Sequence, residues 1–103
     1  MEILSYINDI AFNTYTIKQL IGNKIAVHVP TLKEFKDMQE IVKAHNKDVY
    51  IMDDSIYNCM KEETCLNIEN WSGDCICDIQ IEYCDKQWYI DNGYKIISME
   101  DIR

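Results

Sequence analysis

Residues 75–83, CICDIQIEY, alternate with period two. Cys75, Cys77, Ile79, Ile81 and Tyr83 fall on one side, and Ile76, Asp78, Gln80 and Glu82 on the other. Successive side chains of extended backbone point to opposite faces, so this is the pattern of a strand with one side in a core. The preceding segment alternates as well, with Thr64, Leu66 and Ile68 against Cys65, Asn67 and Glu69. A four-residue loop over Trp71-Ser72-Gly73-Asp74 pairs Asn70 with Cys75, Ile68 with Cys77 and Leu66 with Ile79, so that every apolar residue shares a face. A three-residue loop without a bulge would set Ile68 against Asp78 on conflicting faces. The preferred register leaves Cys65 and Cys84 facing outward. It also places Glu63 opposite Glu82 and Asn67 opposite Asp78, with Glu69 on a diagonal.

The rest of the chain supplies helices around this hairpin. Thr16-Ile-Lys-Gln19 is a capping box whose short helix Gly22 can close. KIAVHV (24–29) is rich in strand formers and stops at Pro30. Thr31-Leu-Lys-Glu34 is a second capping box and opens the main helix, 31–46. There Leu32, Phe35, Met38, Ile41, Val42 and His45 recur at spacings of three and four as one apolar stripe. Asn46 can end that helix in the left-handed region, and DVYIM (48–52) reads as a returning strand, a parallel neighbour of 24–29 across the helix. Residues 85–93 fit either an Asn92-Gly93 hairpin or a short helix capped by Asp85 and closed by Gly93, and the helix is preferred. YKIISME closes the chain as a strand with Ile97 and Met99 on one face. Ile3, Ile7, Ile10 and Ala11 suit a helix without a clear cap. The expected fold is α+β: a small, mostly antiparallel sheet of four to five strands packed on the helix 31–46, with short extra helices. At 103 residues it forms a single domain, 1–103.

Four of the five cysteines lie between Cys65 and Cys84, yet their spacing is poor for a metal. Structural zinc sites pair cysteines two to four residues apart on a tight turn, whereas Cys75 and Cys77 stand in line along a strand. Free cysteine buries as a small hydrophobe, and core packing of this pair is the expectation. The acidic N-terminus MEILSYINDIAF has no basic region and no small-residue cleavage site, so the chain is expected in the cytoplasm with its thiols reduced. No apolar run reaches the ~18–20 residues of a membrane helix. His28 and His45 belong to no nucleophile motif, and there is no phosphate-binding glycine loop or metalloprotease signature. The chain is expected to be non-enzymatic, with no catalytic residues, no metal and no cofactor.

Charge is the remaining signal. Of the net −8, residues 1–51 contribute nothing, six acids against six lysines; residues 52–103 carry twelve acids against four bases. Such a half repels nucleic acid and attracts a basic surface over roughly 8–10 Å in physiological salt. Its expected contact residues are the acids Glu63, Glu69, Asp78 and Glu82 and the aromatic group Trp88, Tyr89 and Tyr94. Tyrosine and tryptophan among acids are typical anchors of a protein interface. The aromatic residues, Tyr83 included, could also stack on a base or ligand ring, but packing of segment 85–93 onto the sheet is the preferred reading over that use.

Several of these features stand in a familiar arrangement. A strand ending in Val27-His28, a helix capped by Thr31, a Thr64-Cys65 strand, and a closing Gly93-Tyr94 strand with Ile96-Ile97 and Asp101 follow one another over residues 16–103. The chain resembles in this respect small proteins of phages and mobile elements in low-GC Gram-positive bacteria, a pool that includes anti-CRISPR and other anti-defence inhibitors. The resemblance implies a phage-encoded inhibitor that sets an acidic face on the nucleic-acid-binding surface of a host defence nuclease. The alternative is a protein that sequesters a small signalling nucleotide in an aromatic pocket. Phosphates need cationic or backbone N–H partners, which argues for the first.

Overall fold

The computed structural model describes residues 15–70 and 79–102. Four strands form one sheet in the order β3-β2-β1-β4: β1 (Ile25–His28), β2 (Thr64–Asn70), β3 (Ile79–Asp85) and β4 (Lys95–Ser98). The β2 strand is antiparallel to both its neighbours, and β4 runs parallel to β1. Among the described residues four helices accompany them: α1 (Ile17–Leu20), α2 (Leu32–His45), α3 (Asp54–Met60) and α4 (Lys86–Asp91). Single 3₁₀ turns, Lys61–Glu63 and Met99–Asp101, precede β2 and follow β4. The α+β architecture with one long helix is the one expected.

Local chemistry sets the helix ends where the sequence places them. At α1, Thr16 and Gln19 form the full reciprocal capping box, and Gly22 follows the helix at φ 68°, a conformation that glycine adopts without Cβ strain. At α2 the Thr31 hydroxyl accepts from the Glu34 N–H at 3.2 Å. At α4 the Asp85 carboxylate accepts from the Trp88 N–H at 3.0 Å and Gly93 stands at φ 80°, so residues 85–93 form the helix, not the hairpin. Asn46 ends α2 in extended backbone, φ −142°, not in the left-handed region. Its side-chain oxygen turns the chain by accepting from the Asp48 N–H at 3.0 Å.

The α2 stripe needs one revision. Phe35, Met38 and Val42 are fully buried, but Leu32 is 37% exposed and His45 lies in solvent. The position completing the buried face is polar: Gln39, 1% exposed. Its amide donates to the Phe35 carbonyl at 3.2 Å, and its oxygen accepts from the Met52 N–H at 2.6 Å. This explains why 48–52 is not a strand. Val49 and Met52 do enter the core, but backbone N–H groups of this segment go to the side chains of Asn46 and Gln39, and not to a ladder. The parallel neighbour of β1 is therefore β4, which brings Ile97 to the core.

The hairpin register also differs from the expected one. Ile68 pairs with Ile81, Leu66 with Tyr83, and Asn70 with Ile79, each partner four residues beyond the expected one. All seven residues of β2 find partners, and the ladder ends at Asp85, where α4 begins. The slip is an even number of residues, so faces are conserved. Leu66, Ile68 and Ile79 bury against α2, with Ile81 packed at the edge of that core. The expected core pair Cys75 and Cys77, and residues 1–13, lie outside the described residues.

The second face of the sheet is not the open polar surface the alternation suggests. Helix α4 lies over it, and Tyr89, Ala26 and Cys65 form a second small core edged by Cys84, Tyr94 and Ile96. Cys65, expected outward, is fully buried there, and Cys84 is half-buried. The packing reading of segment 85–93 therefore holds for Tyr89.

Candidate functional site

Beyond the edge of α4, the second face remains open, and Asn67 organises it. Asn67 sits in the middle of β2, 3% exposed, opposite Glu82 of β3. Its Nδ2 donates to Glu69 Oε2 at 3.0 Å and to Glu82 Oε1 at 3.3 Å. Its Oδ1 accepts from the Tyr89 hydroxyl at 2.5 Å. The chemistry fixes the amide orientation: only the NH₂ can face two carboxylates, and the phenol then has the carbonyl oxygen to bond. One buried amide thus holds two acidic side chains toward the same point in solvent.

Aromatic rings wall this point on one side. Tyr89 meets Tyr94 edge-on at 4.9 Å and Trp88 at 5.1 Å, while Trp88 and Tyr94 lie 6.0 Å apart. Tyr89 is buried, Tyr94 half-buried, and Trp88 45% exposed. Two open hollows adjoin at Glu82. The first, about 230 Å³, is lined by Glu69, Asn70, Glu82 and Tyr94. The second runs over Ile81, Tyr83, Cys84 and Trp88. Burial raises the Tyr94 phenol above its usual pKa, and Glu69 and Glu82 add to the rise. Burial raises Tyr89 further, with Cys65, Cys84 and Glu82 contributing. Both phenols are neutral donors at physiological pH, so the negative charge of the site belongs to the two glutamates.

The fold gathers five of the seven expected contact residues: Glu69, Glu82, Trp88, Tyr89 and Tyr94. Glu63 is not among them. It lies exposed in the 3₁₀ turn before β2, beyond the last ladder pair, so the expected Glu63–Glu82 opposition does not form and Asn67 takes that place. Asp78 lies outside the described residues. The residue that the sequence reading missed is Asn67. Asparagine is depleted in strands, and one flanked at i ± 2 by Cys65 and Glu69 could have marked a polar group held in a partly covered face.

Charge compensation lies elsewhere on the molecule. Among the described residues the ion pairs are Lys33–Asp37 and Lys36–Asp54, both on the α2 side. Lys24 approaches Tyr94 at 5.9 Å from the ring but bonds the Asn92 carbonyl. His28 has a structural partner, its Nε2–H donating to the Glu62 carbonyl at 2.6 Å. Among the described residues no group of three or more His, Cys, Asp or Glu side chains is placed to hold a metal, and no helix is long and apolar enough to cross a membrane. No family model, no curated protein and no solved structure matches the chain.

Proposed function

We propose that the chain is a non-enzymatic binding protein that sets the face around Asn67 on a basic, phosphate-binding surface of another protein. The observation that carries this reading is the convergence of Glu69 and Glu82 on one buried amide, with no lysine or arginine paired to either among the described residues. Two carboxylates held at fixed spacing beside an exposed indole offer charge-assisted acceptors to arginine or lysine and a ring face for a guanidinium to stack on. Preorganisation by Asn67 and Tyr89 removes much of the side-chain ordering cost of binding. The uncompensated charge of residues 52–103 speeds encounter with a basic partner. With the resemblance to phage and mobile-element proteins, the partner class is a host defence nuclease, blocked where its nucleic acid would lie. A nucleotide-sequestering role is disfavoured, because Glu69 and Glu82 line the hollow and would repel phosphates.

The test is capture from bacterial host lysate on the immobilised protein, followed by elution with duplex DNA. A captured protein released by DNA, and bound more slowly by the Glu69→Gln/Glu82→Gln double variant at low salt, supports the reading. Glu63→Lys serves as a control, expected to shift only the long-range encounter rate. A captured partner indifferent to DNA and to the double variant at low and high salt would place the interface elsewhere. Heat of binding with cyclic or linear nucleotides, and no protein captured, would favour the sequestering role.

A further inference from the structure

Cys65 and Cys84 stand directly opposite each other on β2 and β3. Both are free thiols, and Cys84 packs against the small core that contains Cys65. The kind of rung they occupy follows from a neighbouring bond. The Val29 N–H donates to the Thr64 carbonyl at 3.0 Å, so Thr64 turns its polar backbone toward the β1 side. Consecutive strand residues alternate in this respect, so Cys65 turns its N–H and C=O toward β3. The Cys65–Cys84 rung is therefore a hydrogen-bonded antiparallel pair, with Cα atoms ~5.5 Å apart. That separation falls within the ~4.4–6.8 Å a disulfide spans. The Cβ atoms of such a rung are near ~5.5 Å, wider than the ~3.5–4.5 Å of a relaxed disulfide. A bond closed here draws the strands inward and is strained, and strained disulfides are the easily reduced kind.

We infer that Cys65 and Cys84 form a reversible dithiol site that takes low-molecular-weight disulfides, with Cys84 as the entry thiol and Cys65 as the resolving one. The asymmetry is set by access. Cys84 is half-buried and lines the hollow beside Trp88, whereas Cys65 is sealed beneath Tyr89. Burial also pushes the Cys65 thiol up to about 12, so it does not react first. In the first step the Cys84 sulfur gives up its proton and attacks one sulfur of the disulfide reagent. The reagent's S–S bond breaks, and the departing thiolate takes the proton. In the second step Cys65 loses its proton and attacks the Cys84 sulfur of the mixed disulfide, expelling the second thiol. The dithiol loses two electrons and two hydrogens, and the reagent is reduced to two thiols. The rung lies two residues from the Asn67–Glu82 rung on the same face, so closure ties together the two strands that present Glu69 and Glu82.

The experiment treats the reduced, folded protein with oxidised glutathione, alkylates the remaining thiols and maps all cysteines by mass spectrometry. A Cys65–Cys84 cross-linked peptide, reopened by reduced glutathione, is expected. Cys65→Ala should stop at glutathione on Cys84, and Cys84→Ser should leave Cys65 unmodified. The parent protein is the decisive sample, since it needs no substitution to fold. Cys84 joined to Cys59, Cys75 or Cys77, glutathione retained on Cys84 with Cys65 reduced, or no modification at either position would each overturn the assignment.

Discussion

The Tyr89 phenol donates to Asn67 Oδ1 at 2.5 Å, and through that bond helix α4 is tied to the strand that carries the two converging glutamates. The bond links fold to site. Without it Asn67 could rotate its amide, and the carboxylates of Glu69 and Glu82 would lose their shared donor. Tyr89→Phe should cost about 1–2 kcal/mol in denaturant unfolding, since it leaves a buried carbonyl oxygen unpaired. The same variant should weaken partner binding through lost preorganisation. Unchanged stability would mean that Asn67 finds another donor.

Asn67→Asp is expected to be the most damaging conservative change in the sheet. It keeps the shape but replaces a donor by a third carboxylate between Glu69 and Glu82, at a position 3% exposed. A buried, unpaired charge costs about 3 kcal/mol or more. Protonation relieves it, so the gap to the parent should narrow as pH falls from 7 to 4. A constant gap over that range would show that charge is not the cause.

The second face also fixes the response to alkali. Folded Cys65 holds its proton to about 12, from an ordinary value of 9.0, chiefly because it is buried; Tyr89 is raised from 10.0 for the same reason. A folded pKa above the unfolded one means that the folded state binds the proton more tightly. The stabilisation is then complete below the unfolded value and is lost as pH rises. Stability should begin to fall near pH 9, where unfolded thiol ionises, and steepen above pH 10 as unfolded phenol joins. One such group contributes a slope of about 1.4 kcal/mol per pH unit. Cys65→Ala should abolish the decline between pH 9 and 10 and reduce the slope above pH 10 by about half, to the part that Tyr89 supplies. Urea midpoints taken across pH 7–11 measure this directly.

How much of this was legible follows from the range of each signal. Caps are local, and Thr16, Thr31, Asp85 and Gly93 act as their sequences read. Strand faces are also local, which is why Leu66 and Ile68 lie on the expected side although their partners moved by four residues. Register and neighbours are not local. The seven-rung ladder depends on where Asp85 starts α4, and the burial of Cys65 depends on Tyr89, which is distant in sequence. The segment 48–52 had strand composition, but Gln39 and Asn46 take its N–H groups, and a glutamine on a helix does not announce that it will face inward. For the site, acid and aromatic types were readable; the amide that gathers them was not.

Gln39 provides a separate test of that packing. Replacing it by Met keeps the volume but leaves the Met52 N–H, now bonded at 2.6 Å, without a partner. The expected loss is about 1–3 kcal/mol, with faster hydrogen exchange at Met52. A neutral substitution would mean that segment 49–52 is held by the burial of Val49 and Met52 alone.

Lys61 offers the opposite outcome, a gain. It joins α3 to the 3₁₀ turn at φ 49°, ψ −117°, a combination that suits the first central position of a type II′ turn and that glycine adopts without steric penalty. A side chain there carries strain of about 1–3 kcal/mol. The Lys61 side chain is exposed, so removing it sacrifices little packing. Lys61→Gly relieves the strain but gives the unfolded chain more freedom, which costs about 0.4–1 kcal/mol. The net expectation is a gain of about 1 kcal/mol, seen as a higher urea midpoint with unchanged slope. Lys61→Ala separates the contributions, since alanine keeps the Cβ and its strain while losing the amine. It should melt like the parent. If Lys61→Ala gains as much as Lys61→Gly, the benefit comes from the lost side chain and not from the backbone, and the turn is not strained.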